Sequence, residues 1–272
     1  MNELSVFQAF VLGALQGLAE FLPISSSAHL ALAPWAFGWP EPGLAFDVAL
    51  HVGSLVALLG YFRNEWIALV RAAMSVVVTR RIETAEQRRA LFLVIATIPG
   101  GIAGLLLEKK AETAFRAPEL IAVALIVMGA VLWIVDARAS SKRNLDAFTT
   151  LDALLVGCAQ AFALIPGVSR SGATITAGRA LGFDRASAAT FSFMMSMPII
   201  AAAAVLKVPK ALAEGGVSVP LVVAVVTAAA SSAIAISALL RFVKNRGLGV
   251  FALYRFALGA AVLALVAYRA RS

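Results

Sequence analysis

Gln16, Glu20, Ser25, Ser26, Ser27 and His29 interrupt an otherwise apolar stretch of this chain. Gln16 and Glu20 are four residues apart and share one helix face. Pro23 then ends the helix and turns the serines and His29 back toward that face. A carboxylate, several hydroxyls and an imidazole brought together could perform nucleophilic or acid–base chemistry. The plainer alternative is that Glu20 ends a helix near water and the serines satisfy a turn. A second polar group runs Pro166-Gly167-Val168-Ser169-Arg170-Ser171-Gly172-Ala173-Thr174. Its glycines permit close backbone approach, a helix N-terminus there would present free amides, and Arg170 adds a planar fork of donors. Helix amides plus arginine make an anion site, most naturally for phosphate. The spacing is not that of a Walker loop. A structural turn with Arg170 reaching to the interface is the alternative.

The surroundings decide how such residues are read. Of 272 residues, 61% are hydrophobic and 14% charged, against roughly 45–50% and 25% in soluble domains. Residues Ala90 to Leu107, Leu120 to Val135, Ala186 to Leu206 and Gly215 to Leu240 contain no Asp, Glu, Lys or Arg. A helix needs about 20 apolar residues to cross a bilayer, so a single integral membrane domain over 1–272 is expected. Ionisable groups inside such a chain are expensive and point to function. The basic excess, 23 Lys and Arg against 15 Asp and Glu, fits loop topology and an anionic substrate. Nucleic acid is excluded as a partner, because no basic helix is interleaved with stacking aromatics. Cys158 is the one cysteine, so no intrachain disulfide forms. Glu3 stands where a signal peptide would be basic, and the N-terminus is read as retained.

Apolar segments fall near residues 4–20, 27–37, 46–62, 90–107 and 119–136, then near 151–164, 172–182, 186–206, 217–240 and 248–268. Displacing the sequence by 144 residues superposes Gly13 on Gly157, Gln16 on Gln160, Ala19 on Ala163, Ser25 on Ser169 and Ser27 on Ser171. Residues 1–140 and 150–272 are therefore read as two repeats. In each, the first two segments are short and separated by proline and polar backbone, which cannot lie against lipid. They are expected to form two re-entrant helical hairpins, leaving about six full transmembrane helices. Three spans per copy would invert the second copy relative to the first. With the basic loops at 63–89, 138–143 and 241–246 inside, twelve cations lie inside and seven outside, at Lys109, Lys110, Arg116, Lys207, Lys210, Arg269 and Arg271.

Other polar positions carry weaker signals. Asp47 and His51, one turn apart, are read as a structural pair or cap. Arg255 is read as structural, tied to a backbone carbonyl, so that Arg255→Ala should retain much activity. Arg179, Asp184 and Arg185 are expected to be caps and interface anchors. Trp35 and Trp66 fit an interfacial belt.

Gln16-Gly17-Leu18-Ala19-Glu20-Phe21-Leu22-Pro23-Ile24-Ser25-Ser26-Ser27-Ala28-His29 resembles the [E/Q]xxxE motif and serine/histidine loop of the undecaprenyl-diphosphate phosphatase family associated with bacitracin resistance, and residues 166–174 match its PGxSRSxxT motif. The likeness extends over nearly the whole chain in length and segment order. Gln16 stands where the family often has Glu, which would remove one carboxylate from a metal site, and Ala28 stands where glycine is common. The resemblance implies hydrolysis of a membrane-embedded polyprenyl diphosphate to monophosphate and phosphate. That reaction regenerates the lipid carrier of peptidoglycan synthesis. The site would face the periplasm or cell exterior of the bacterial cytoplasmic membrane and depend on a divalent cation, Mg²⁺ or Ca²⁺.

Carried over by position, Arg170 clamps the diphosphate and Ser26 is the candidate nucleophile, with His29 as base and then acid. Glu20 orients His29 or holds the metal. Gln16, Ser25, Ser27, Gly167, Ser169, Ser171 and Thr174 complete the substrate site. A metal-activated water, or His29 itself, is the alternative nucleophile. A polyprenyl-phosphate flippase or other transporter shares the expected architecture, and a structural scaffold would not need these polar groups. The segment pattern is compatible with a monomer or a homodimer.

Overall fold

Prolines and serines set the helix boundaries nearest the polar clusters. Ser5 opens α1 (Val6–Phe21) through a reciprocal capping box with Gln8. Leu22 and Pro23 end it, and Ser25 caps α2 (Ser26–Phe37). The computed structural model describes residues 4–112 and 116–271. Glu3 lies outside these, as do the side chains of Lys109, Lys110 and Lys210. The remaining helices are α3 (Gly43–Tyr61), α4 (Arg63–Thr79), α5 (Ala85–Glu112), α6 (Pro118–Arg138), α7 (Thr150–Ala161), α8 (Arg170–Ala180), α9 (Arg185–Gly215), α10 (Val219–Asn245) and α11 (Gly249–Arg269). A 3-10 turn, Phe162–Leu164, follows α7. The described residues contain no strand beyond an isolated bridge between Arg143 and Phe183.

Among the described residues, five helices are long and apolar enough to cross a membrane: Ala85–Leu107 of α5, all of α6, Arg185–Pro209 of α9, and α10 and α11. The expected all-α membrane architecture is borne out, and the chain is a multi-pass membrane protein. The sixth expected span is different in form. Phe46–Tyr61 meets Arg63–Thr79 at an angle of 87°, so a sixth span exists only if that broken pair is counted as one. The segment following Arg63, read from its arginines as a loop, is largely helix. Between Trp66 and Val78 only Arg71 is charged, and that interior has no proline or glycine to stop helix propagation. Ile67, Val70, Met74 and Val77 of α4 are exposed. At about 1.5 Å per residue, α1, α2, α7 and α8 are each too short to span about 30 Å of hydrocarbon.

Small residues let these short helices approach their neighbours closely. Gly13 and Gly17 of α1 lie against the backbone of α10 at Ala224 and Ala228, where a Cβ would collide. Gly157 of α7 meets Ala96 of α5 in the same manner. Such backbone contact is how helices pack in lipid, where the hydrophobic effect gives no preference for association. Toward one end of the bundle, Phe148 stacks between Phe183 and Phe191 at centroid distances of 3.9 and 4.0 Å.

Near that end Arg179 is 1% exposed. It is a buried ion-pair partner, 2.9 Å from Asp136, which also accepts from Arg185 at 2.8 Å and from the Leu248 amide at 2.9 Å. The expectation that Arg179 anchors to the interface is thus corrected. One carboxylate ties four helix ends together, because a lone arginine so deep would be too costly. Asp184 does act as a cap, accepting from the Ser187 amide at 2.8 Å.

Candidate active site

The two polar loops meet and brace one another. The Gly167 amide donates to Ser25 Oγ at 3.1 Å, and Ser171 Oγ donates to the Leu22 carbonyl at 3.1 Å. Each loop turns through a serine in the left-handed region, with φ 76° at Ser25 and 72° at Ser169. Non-glycine residues adopt this conformation at a cost of roughly 1–3 kcal/mol, and it clusters at functional sites. Each of these serines then caps the helix it precedes, Ser25 accepting from Ala28 and Ser169 from Gly172. The first amides of α2 and α8 have no intrahelical acceptor.

Arg255 holds both turns from behind. It is fully buried in α11 and donates to the carbonyls of Pro23 (3.2 Å), Gly167 (2.6 Å), Val168 (3.1 Å) and Leu125 (3.1 Å). The structural reading of this residue holds, with four carbonyl acceptors in place of the one expected. Arg255→Ala would orphan the loop carbonyls of Pro23, Gly167 and Val168, at about 1–3 kcal/mol each before relaxation, while Leu125 lies within α6 and loses only a second donor. A loss of several kcal/mol is expected, read as a fall in the melting temperature of the detergent-solubilised protein; an unchanged melting temperature would count against the clamp.

In front of Arg255, Glu20 is 6% exposed and fully engaged. Its Oε1 accepts from Arg170 Nη2 at 2.7 Å, and its Oε2 accepts from Ser26 Oγ at 2.5 Å and Gln16 Nε2 at 3.1 Å. His51 Nε2 stands 3.5 Å from the same Oε2. The imidazole is aimed by its Nδ1, which donates to the Asp47 carbonyl at 2.7 Å. Arg170 Nη1 is buried and has no partner. These groups line a cavity of about 230 Å³, together with Ser27, Ser169, Gly100 and Gln160. A larger, mainly apolar groove of about 500 Å³ adjoins it, sharing Ser27, His51 and Gly100 and continuing past Leu30, Val48, Leu105 and Leu206 to Arg116 and Lys207.

Of the residues expected in the site, Glu20, Ser26, Ser27, Ser169 and Arg170 line the cavity. Gln16 stands behind Glu20. Ser25, Gly167 and Ser171 form the loop brace. Thr174 lies one turn behind Arg170, bonded to its carbonyl at 2.8 Å and to Ser192 at 2.6 Å. His29 is absent from the cavity lining. Its Nδ1 donates to the Ser25 carbonyl at 2.7 Å, its Nε2 meets the Tyr254 hydroxyl at 2.6 Å, and the two rings stack at 5.7 Å. With both ring nitrogens engaged there, His29 is not placed as a base for Ser26. Glu20 occupies that position directly. His51 and Gln160 enter the site from α3 and α7. The signals available for them were the polar pair at 47 and 51 and the match of Gln160 to Gln16.

Among the described residues no group of three or more His, Cys, Asp or Glu side chains could hold an ion. Glu20, the carboxylate at the cavity, already has both oxygens occupied by cationic and neutral donors. The side chains do not form a cation cage by themselves.

A family model described as bacitracin resistance protein BacA matches residues 9–261. The chain is 57% identical over 266 residues to the undecaprenyl-diphosphatase of Gemmatimonas aurantiaca, covering 98% of this chain and all of that one. It is 49% identical to the protein of that name from Pelotomaculum thermopropionicum and 47% to that from Moorella thermoacetica, each over at least 96% of this chain and 98% of the relative. Both motif loops, brought face to face across Glu20 and Arg170, fall within the matched span, and this chain belongs to the bacitracin resistance protein BacA family.

Proposed function

We propose that the chain hydrolyses undecaprenyl diphosphate to the monophosphate and inorganic phosphate, recycling the lipid carrier for cell-wall glycan synthesis and conferring bacitracin resistance. The observation that carries this reading is the buried, unpartnered Nη1 of Arg170 beside the Ser26–Glu20 hydrogen bond. Anion recognition and an activated hydroxyl thus stand in one cavity next to an apolar groove. The relatives' names favour hydrolysis over transport of the same lipid.

The diphosphate occupies the smaller cavity and the prenyl chain enters the groove. Glu20 takes the Ser26 proton as Oγ attacks the terminal phosphorus. The bond from that phosphorus to the bridging oxygen breaks, and the lipid monophosphate leaves with the electron pair. That proton passes from Glu20 to the departing monophosphate, and the regenerated carboxylate then deprotonates a water that attacks the phosphorus; the bond to Ser26 Oγ breaks, and Oγ takes the proton back from Glu20 as phosphate leaves. Arg170 and the amides opening α8 neutralise charge spread over the transferring group. Because Glu20 is saturated, a divalent cation is best carried by the diphosphate, with substrate oxygens and water as most of its ligands.

The groove runs toward Arg116 and Lys207, the side that charge counting puts outside, which supports a site facing the periplasm or exterior of the cytoplasmic membrane. The pairing of α1 with α10 and of α7 with α5, and the matching left-handed serines, support two inverted repeats whose hairpins are re-entrant. The test is phosphate release from undecaprenyl diphosphate by purified protein with Mg²⁺ or Ca²⁺. Release is expected from the diphosphate and not from the monophosphate. A folded protein that releases none would return the reading to transport.

A further inference from the structure

We infer that Gln160 is a ligand of the phosphate handled in this cavity, donating from its carboxamide nitrogen to a non-bridging oxygen beside Arg170. The inference rests on the phosphatase reading of the site and adds a residue to it.

Gln160 lies near the end of α7, is 4% exposed, and lines the cavity with Glu20, Ser26 and Arg170. Neither its Nε2 nor its Oε1 has a hydrogen-bond partner. A buried carboxamide with both ends unsatisfied is costly and rare, and calls for an explanation. Gln16, Asp47, Trp66 and Arg170 each leave one buried polar atom unpartnered, whereas Gln160 leaves both ends of its carboxamide so, and buried hydroxyls such as Ser54 with Ser232 and Thr174 with Ser192 are paired internally.

Gln16, 144 residues earlier, directs its NH₂ at Glu20, one turn on. At the position one turn after Gln160 stands Leu164, which offers no side-chain acceptor. The same residue type is therefore consumed internally in one half and left available in the other. Arg170 Nη1 is the second unpartnered donor in the cavity. Two such donors, one cationic and one neutral, suit an oxyanion with several acceptor oxygens, and the carboxamide oxygen can take a hydrogen bond from water or from a protonated phosphate oxygen.

Space for this carboxamide is kept by a glycine on the facing helix. A Cβ at Gly100 of α5 would collide with Gln160 Nε2 and stand 3.1 Å from its Cγ. Gly100 is helical, with no positive φ demanding glycine. Alanine there can be accommodated by moving the flexible end of Gln160 out of place.

The test uses full-length protein in detergent, with undecaprenyl diphosphate as substrate and inorganic phosphate as probe. Q160A is expected to reduce kcat/KM and to weaken inhibition by phosphate, each by about ten- to a hundredfold, the effect of one hydrogen bond to a charged group. Its melting temperature without phosphate should not fall, since no internal partner is lost. G100A should reproduce both kinetic changes. In the G100A/Q160A double variant the glycine substitution should add nothing, because its target is gone. A structural Gln160 would instead lower the melting temperature and leave phosphate inhibition unchanged, and that result overturns the inference. Wild-type protein that releases no phosphate overturns the phosphatase reading alone. Stabilisation of wild type by inorganic phosphate, and its loss or persistence in Q160A, then decides for or against Gln160.

Discussion

Arg170→Ala is expected to reduce phosphate release by about a thousandfold or more, at the upper end of what removal of one preorganised oxyanion donor costs. The effect should be that large because the guanidinium acts on two sides. Its Nη2 neutralises Glu20 at 2.7 Å, while its Nη1 stays buried and unpartnered in a residue that lines the cavity. Without it, the incoming diphosphate loses a donor and also faces a buried carboxylate stripped of its cation. Arg170→Lys should recover only part of the rate, since one ammonium cannot bridge carboxylate and phosphate as a planar fork does. Steady-state phosphate release at matched protein concentration, with the melting temperature as a folding control, measures both. A folded Arg170→Ala protein within tenfold of wild type would mean that the phosphate binds elsewhere.

Ser26→Ala is expected to reduce turnover by about 10⁴-fold or more, the scale seen when a nucleophile is removed and binding groups remain. Ser26 Oγ already donates to Glu20 Oε2 at 2.5 Å, so the hydroxyl and its base are in contact before substrate arrives. The amide at the same residue opens α2, so alanine preserves the helix start. Quenching the reaction with terminally labelled diphosphate should leave label on Ser26 in the wild type and none in the variant. Substantial residual turnover, with no labelled enzyme, would move the attack to a water held by Glu20 and leave Ser26 as a donor only.

Much of this architecture was legible locally. Uncharged blocks such as Leu120 to Val135 must be buried in lipid whatever their neighbours, and every helix except α4 overlaps an apolar segment read from composition. Proline and serine chemistry is equally local, so the turns at Pro23 and Pro166, and the caps at Ser25 and Ser169, follow from short windows of sequence. Glu20, Ser26 and Arg170 were legible because each is a polar group that hydrocarbon would not tolerate unpaired.

Three assignments depended on contacts between segments far apart in the chain. His29 and His51 are both imidazoles near Glu20 in a reading by type, yet Tyr254 of α11 draws His29 away and the Asp47 carbonyl points His51 inward. Arg255 reads as one buried cation, but its worth lies in four carbonyls from two loops and a neighbouring helix. The bend after Tyr61 is invisible to hydropathy, because α3 and α4 are both helical and only their packing sets the 87° between them. Partition between water and lipid is a property of each residue, so composition decides which segments are buried and where helices begin. Hydrogen-bond direction and the choice among competing partners belong to groups far apart in sequence, 232 residues between Pro23 and Arg255. Only the assembled helices bring those groups within reach.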